Sequence, residues 1–165
     1  MTAGHCDDFL VYFYGIPYYL DMRQGRTDNH YDCQWHTNSW LNVTNQFVWW
    51  QDGSTFNCTA TLSRNNQAIG STVSKFGQQT YYTCGTLTFK EQTLSYITNC
   101  QPTFMKIEDT FGYSGPLAAP GDSGGPCFSG STALGITSGI SGNDVLYYMA
   151  INYVDGIGVS VLTSP

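Results

Sequence analysis

The chain has 165 residues, a formal net charge of −6 and only 11% charged residues, against roughly 25% in an average soluble protein. That length suits one domain with a sizeable core, and low charge with 15% aromatics excludes a disordered chain. No Lys/Arg cluster offers a footprint for a phosphate backbone, and no apolar run approaches the roughly 20 residues that span a bilayer, so neither nucleic acid nor membrane is expected as a partner.

Helical periodicity is nearly absent, and strand-like stretches recur instead. In chain order they are Phe9–Tyr14, a short strand just after Asp32, Phe47–Trp50, Phe56–Leu62, Thr86–Phe89, Thr93–Ile97 and Ala133–Thr137. In the Thr86 and Thr93 stretches Leu87/Phe89 and Leu94/Tyr96 alternate with polar neighbours, and Lys90-Glu91-Gln92 between them reads as a hairpin turn. One helix is predicted, Ile151–Val159, weakened by Gly156 and Gly158. Many short strands and 18 glycines argue for an all-β barrel or sandwich.

Six cysteines, at 6, 33, 58, 84, 100 and 127, form no C-x-x-C pair. Disulfides in an oxidising compartment are therefore the better reading than zinc or redox motifs. The Asn-x-Thr acceptor patterns at Asn42 and Asn57 agree but add little. His30, Asp32 and His36 fit no strong metal-ligand spacing, so neither metal nor cofactor is expected.

The strongest motif is Gly121-Asp122-Ser123-Gly124-Gly125-Pro126. A serine hydroxyl is a poor nucleophile. Flanking glycines let the chain turn so that Oγ projects and backbone N–H groups converge where an oxyanion would form. The second motif is Thr2-Ala3-Gly4-His5-Cys6, where His5 supplies a base titrating near neutrality. A carboxylate must then hold the imidazole in one tautomer. Asp32 in Tyr31-Asp32-Cys33-Gln34-Trp35-His36 is the choice, with Asp28 the main rival and Asp21 behind it.

In this order, T-A-G-H-C, then an Asp, then G-D-S-G-G-P, the chain resembles the chymotrypsin-like serine proteases. The stretches Gly77–Thr86, Gly135–Gly139 and Ile151–Ser160 are similar to the small bacterial, streptogrisin-like branch. The resemblance implies a double six-stranded Greek-key β-barrel with a short C-terminal helix, in one peptidase domain over 1–165. A first-barrel remnant would cover about 1–70 and a second barrel about 71–165. It implies a secreted, monomeric endopeptidase acting on polypeptides. His5 would be the base, Asp32 its orienter and Ser123 the nucleophile, with the N–H groups of Gly121 and Ser123 as oxyanion hole and Asp122 supporting that loop from within. Leu117 and Ala118 would floor the primary pocket, and Ser138, Gly139 and Ile140 would form a wall. With no Asp there, small or medium apolar side chains are expected at the cleaved position.

Family members carry about two more strands and a signal peptide before this point, so the first barrel is expected to be incomplete and the signal lost with a missing N-terminal segment. Met1 stands at a normally buried strand position. The favoured explanation is an incomplete gene, the alternative a truncated product that is unstable or inactive. The usual partner of Cys6 would lie upstream, which leaves Cys6 unpaired and Cys84–Cys100, Cys33–Cys58 and Cys84–Cys127 all open. Two other functions compete: a protease-like fold kept for binding, and a carbohydrate-binding sandwich suggested by Trp49, Trp50, Tyr81 and Tyr82.

Overall fold

A computed structural model describes residues 1–14, 16–50, 52–112 and 114–164. Twelve strands are named in it: β1 (Leu10–Tyr14), β2 (Ile16–Arg26), β3 (Cys33–Thr37), β4 (Gln46–Val48), β5 (Thr55–Asn57), β6 (Ala60–Thr61), β7 (Thr72–Gly77), β8 (Tyr81–Gln92), β9 (Phe104–Glu108), β10 (Pro126–Ser129), β11 (Thr132–Ser141) and β12 (Val145–Ala150). From β7 onward the strands follow the order β10-β7-β8-β9-β12-β11, and the β10–β11 pairing returns the last to the first. This is a closed six-stranded antiparallel barrel, with β6 added in parallel to the outer end of β11. The strands before it make an open sheet, β1-β2-β3, and a separate β4–β5 hairpin. Among the described residues they close no second barrel.

Burial on both faces of β12 explains how the two halves adhere. Leu146, Tyr148 and Ala150 point into the barrel with Val73, Leu87, Met105, Ile107 and Leu134. Met149 and Ile151, in alternate register, face outward with Cys33, Phe104, Val154 and Ile157. A strand's side-chain period of two thus serves two cores at once. Between them, Gln67 is buried. It accepts from Tyr148 Oη at 2.5 Å and donates to the carbonyls of Leu62 and Leu134.

Several predicted elements shift. Lys90-Glu91-Gln92 is no turn, because β8 runs through it, absorbing bulges against β9. Thr93–Ile97 is no strand. Leu94 and Ile97 are buried three residues apart across a turn closed by Ile97 N–H to the Leu94 carbonyl at 3.1 Å. The Phe56–Leu62 stretch divides at Cys58, whose amide bonds Asn45 while Thr59 crosses to Ser131. The helix is present as a 3-10 segment, Ile151–Ile157, stopped by Gly158 in the left-handed conformation. Met1 is half exposed rather than buried.

Cys6, Cys33, Cys58, Cys100 and Cys127 are free thiols, so none of the three open pairings is formed. Burial pushes the Cys33 and Cys127 thiols up to about 12, which keeps them unreactive at neutral pH. Cys84 and Cys127 lie on β8 and β10, either side of β7. Two strand spacings come to roughly 9–10 Å, beyond disulfide reach.

Leu87→Ala, in the middle of the barrel core, is expected to cost about 2–5 kcal/mol, measured by urea denaturation. Ile140→Ala on the partly exposed rim is expected to change stability by less than about 1 kcal/mol.

Candidate active site

The N-terminal segment reaches the site through one pair of backbone bonds. Thr2 N–H donates to the Gln34 carbonyl at 3.0 Å and Gln34 N–H to the Thr2 carbonyl at 2.9 Å. That bridge holds the turn at Gly4–Cys6 against the start of β3, where Asp32 is fully buried. Asp32 Oδ1 accepts the His5 backbone N–H at 3.0 Å, and its two oxygens lie 3.0 and 2.9 Å from His5 Nδ1. On the far side of the ring, Nε2 lies 2.9 Å from Ser123 Oγ. Side chains 118 positions apart in sequence therefore join in one line of hydrogen bonds. The bond to Asp32 raises the His5 pKa above its ordinary 6.5, against the opposing effect of burial.

The rival carboxylates are engaged elsewhere. Asp28 pairs with Arg26 at 2.5 Å, and Asp21 lies 3.7 Å from Arg23. His30 stacks on Tyr153 and contacts Thr103, while His36 lines an apolar groove of about 490 Å³ with Trp35, Phe47 and Phe128. His30, Asp32 and His36 thus lie in three separate environments.

Ser123 sits in a tight loop. Gly121 has φ of +102°, a conformation that strains any side-chain-bearing residue. Asp122 N–H bonds Ala119, Gly124 N–H bonds Thr137, and Thr137 N–H returns to Gly125. These bonds clamp the loop to β11. Beneath it, the Asp122 carboxylate is buried and accepts from Gln79 N–H at 2.7 Å, Thr80 N–H at 3.2 Å, Thr80 Oγ1 at 2.6 Å and Ala119 N–H at 3.0 Å. A Cβ at Gly77 would occupy the space of that carboxylate.

Its ionic partner is Lys75, which the sequence reading missed. Lys75 Nζ lies 3.0 Å from Asp122 Oδ2 and also donates to the Tyr81 carbonyl and Thr80 Oγ1, filling its three donor positions. Burial lowers the Lys75 pKa, with Asp122 opposing. Burial alone would raise the Asp122 pKa, but the bonds from Thr80, Gln79, Ala119 and Lys75 together leave it lowered. A lone lysine in Val73-Ser74-Lys75-Phe76 carries no motif; only its register on β7, opposite Thr83 and Cys127, brings it under the loop.

Of the pocket residues, Gly139 and Ile140 line a groove of about 610 Å³ with Leu94, Tyr96, Ile97 and Tyr147. Ser138 is buried next to them, with its hydroxyl turned to the Ile136 carbonyl at 3.3 Å. Leu117 and Ala118 lie in the barrel core and do not line this groove. The aromatic quartet is divided. Trp49 stacks on Phe56 at 4.8 Å and Tyr82 contacts both tryptophans, while Trp50 and Tyr81 remain exposed. Tyr96 is the second residue missed: its ring meets His5 edge-on at 5.2 Å.

A serine on a loop of the closed antiparallel barrel thus lies in line with an imidazole and a buried carboxylate held by the open sheet beside it. The trypsin family's sequence profile matches residues 1–156. The chain is 33% identical over 148 residues to Serine protease 2 of Streptomyces fradiae, covering 87% of this chain and 79% of that protein. It is 31% identical over 145 residues to Streptogrisin-A of Streptomyces griseus, covering 87% of this chain but 43% of that one. Among solved structures, Thermobifida fusca Protease A superposes with a TM-score of 0.72 at 27% identity, covering 99% of this chain and 83% of that one. The chain belongs to the trypsin family, and with it to the serine endopeptidases.

Lys75→Ala would leave the Asp122 charge buried without its cation and is expected to cost about 3–5 kcal/mol. Lys75→Met/Asp122→Leu is expected to recover part of that loss in the same urea titration. Because the fold depresses the Asp122 pKa, the stability it contributes is complete above its unfolded value of 3.8 and drains away as pH falls through the lower folded value.

Proposed function

We propose that this chain, as a single domain over 1–165, hydrolyses peptide bonds by acyl transfer to Ser123. The carrying observation is the unbroken run Asp32–His5–Ser123, with each link at 2.9–3.0 Å and the carboxylate sealed from water. His5 Nε2 takes the Ser123 proton as Oγ attacks the scissile carbonyl carbon. The imidazolium, held by Asp32, then passes that proton to the leaving amine. Water, deprotonated by the same nitrogen, releases the acyl group. The N–H groups of Gly121 and Ser123 stabilise the tetrahedral oxyanion, at about 3–4 kcal/mol per donor. Lys75 and Asp122 act beneath them by fixing the loop. Residues 1–70 supply His5 and Asp32, and 71–165 supply Ser123.

The reaction needs only groups that the chain itself supplies, and the protein acts on polypeptides as a monomer. Gly139 and Ile140, with Ser138 buried beside them, present no charge to the cleaved side chain, which favours small or medium apolar residues there. An extracellular setting is part of the same reading and rests on the family.

A fluorophosphonate probe is expected to label the chain and not its Ser123→Ala variant; equal labelling of both would end the reading. The acid limb of kcat/KM is expected to have its midpoint above 6.5, because only neutral His5 accepts a proton and Asp32 raises its pKa. The same raised pKa makes the His5–Asp32 pair stabilising below pH 6.5, with that stability lost as pH climbs through the folded value. Digestion of a peptide library is expected to show cleavage after Ala, Val or Leu in preference to Arg.

A further inference from the structure

Tyr96 stands on the turn between β8 and β9, and its hydroxyl has one proton and two acceptors in range. The carbonyl of Ser138 is 2.5 Å away and Asp32 Oδ2 is 3.4 Å away. By distance the proton rests on Ser138, and the contact to Asp32 is at the limit of a hydrogen bond. Burial, then the Asp32 charge, push the phenol pKa well up, so the hydroxyl remains a donor throughout the neutral range. Its ring meanwhile braces the imidazole of His5 from the edge.

Ser138 is the bulged residue of β11. The register to β12 runs Thr137↔Tyr148 and then Gly139↔Tyr147, passing over Ser138. Its carbonyl is turned to Tyr96 at the head of the groove lined by Gly139, Ile140 and Ser141. Among the described strands β10 and β6 pair β11 no further than Ile136, so from Ser138 onward β12 is its only strand partner. Extended peptides add to such an unpaired side by main-chain hydrogen bonds, and one laid along this groove brings N–H donors to that carbonyl.

We propose that Tyr96 is a positioning residue coupling substrate binding to the His5–Asp32 pair: its hydroxyl occupies the Ser138 carbonyl in the free protein and passes to Asp32 Oδ2 when a peptide N–H takes that carbonyl. This rests on the hydrolase reading above. The resting bond competes with substrate, and the released hydroxyl fixes the carboxylate plane against His5 Nδ1–H during turnover. Removing the hydroxyl therefore has opposite effects on binding and chemistry, whereas a merely structural tyrosine would harm both.

The test is steady-state kinetics of the full chain and of Tyr96→Phe on acetyl-tetraalanine p-nitroanilide, with fluorophosphonate labelling alongside. Tyr96→Phe is expected to lower KM and also to lower kcat, each by about 2- to 10-fold, the span of one net hydrogen bond. Tyr96→Met, which keeps an apolar body without the hydroxyl, makes the same comparison if the Phe variant does not fold. An unchanged or raised KM, or an unchanged kcat, in an active chain overturns the coupling alone. A wild-type chain that neither labels nor turns over overturns the hydrolase reading, and the coupling falls with it.

Discussion

The buried Asp122 carboxylate sets the terms for the rest of the molecule. An ionised carboxylate without water costs several kcal/mol unless every oxygen lone pair finds a donor. Here five donors converge on it, from β7, from the chain leading into β8, and from the Ala119 amide just before it. Meeting that demand forces the loop from Ala119 to Gly125 into a single shape. The serine next in sequence cannot then move without breaking a buried ion pair. The barrel supplies rigidity, but the charge decides where the loop lies on it.

A second buried carboxylate repeats the logic on the other side of the cleft. Asp32 lies at the head of β3 rather than in the barrel, and its backbone amide is seated against Met149 of β12. The outer face of β12 thus places the open three-stranded sheet, and that sheet places His5. Asp122 lies in the loop before β10 and Asp32 just ahead of β3; the first loop is tied to β11 through Thr137 and the second to β12 through Met149. Their division of labour follows from their partners. Asp122 faces a lysine and backbone amides and serves structure. Asp32 faces an imidazole that still reaches solvent and can exchange its proton.

The aromatic residues divide along the same line. Tyr148 is enclosed in the barrel and ends on Gln67, a contact that only holds. Tyr96 has one edge on the imidazole and its hydroxyl between two acceptors, a contact that can change hands.

The amino-acid sequence alone determined the strand-rich class and the two short motifs around His5 and Ser123, because glycine spacing and the chemistry of an activated hydroxyl are local properties. It narrowed the acid to three candidates and favoured Asp32, which the structure puts beside His5 while Asp28 and Asp21 pair with arginines. Tertiary structure alone decided the rest. Lys75 has no motif, and its role comes from strand register and from Gly77 leaving room for a carboxylate. Leu94 and Tyr96 alternate with polar neighbours and so mimic a strand, but the buried pair is Leu94 and Ile97 across a turn, which puts Tyr96 on the exposed side beside His5. That Cys84 and Cys127 stand apart was likewise out of reach of spacing, since β7 lies between them. In each case the decisive quantity is a distance between residues far apart in the chain. Such distances are set by how buried charges and shared strand faces are satisfied together, which no local window contains.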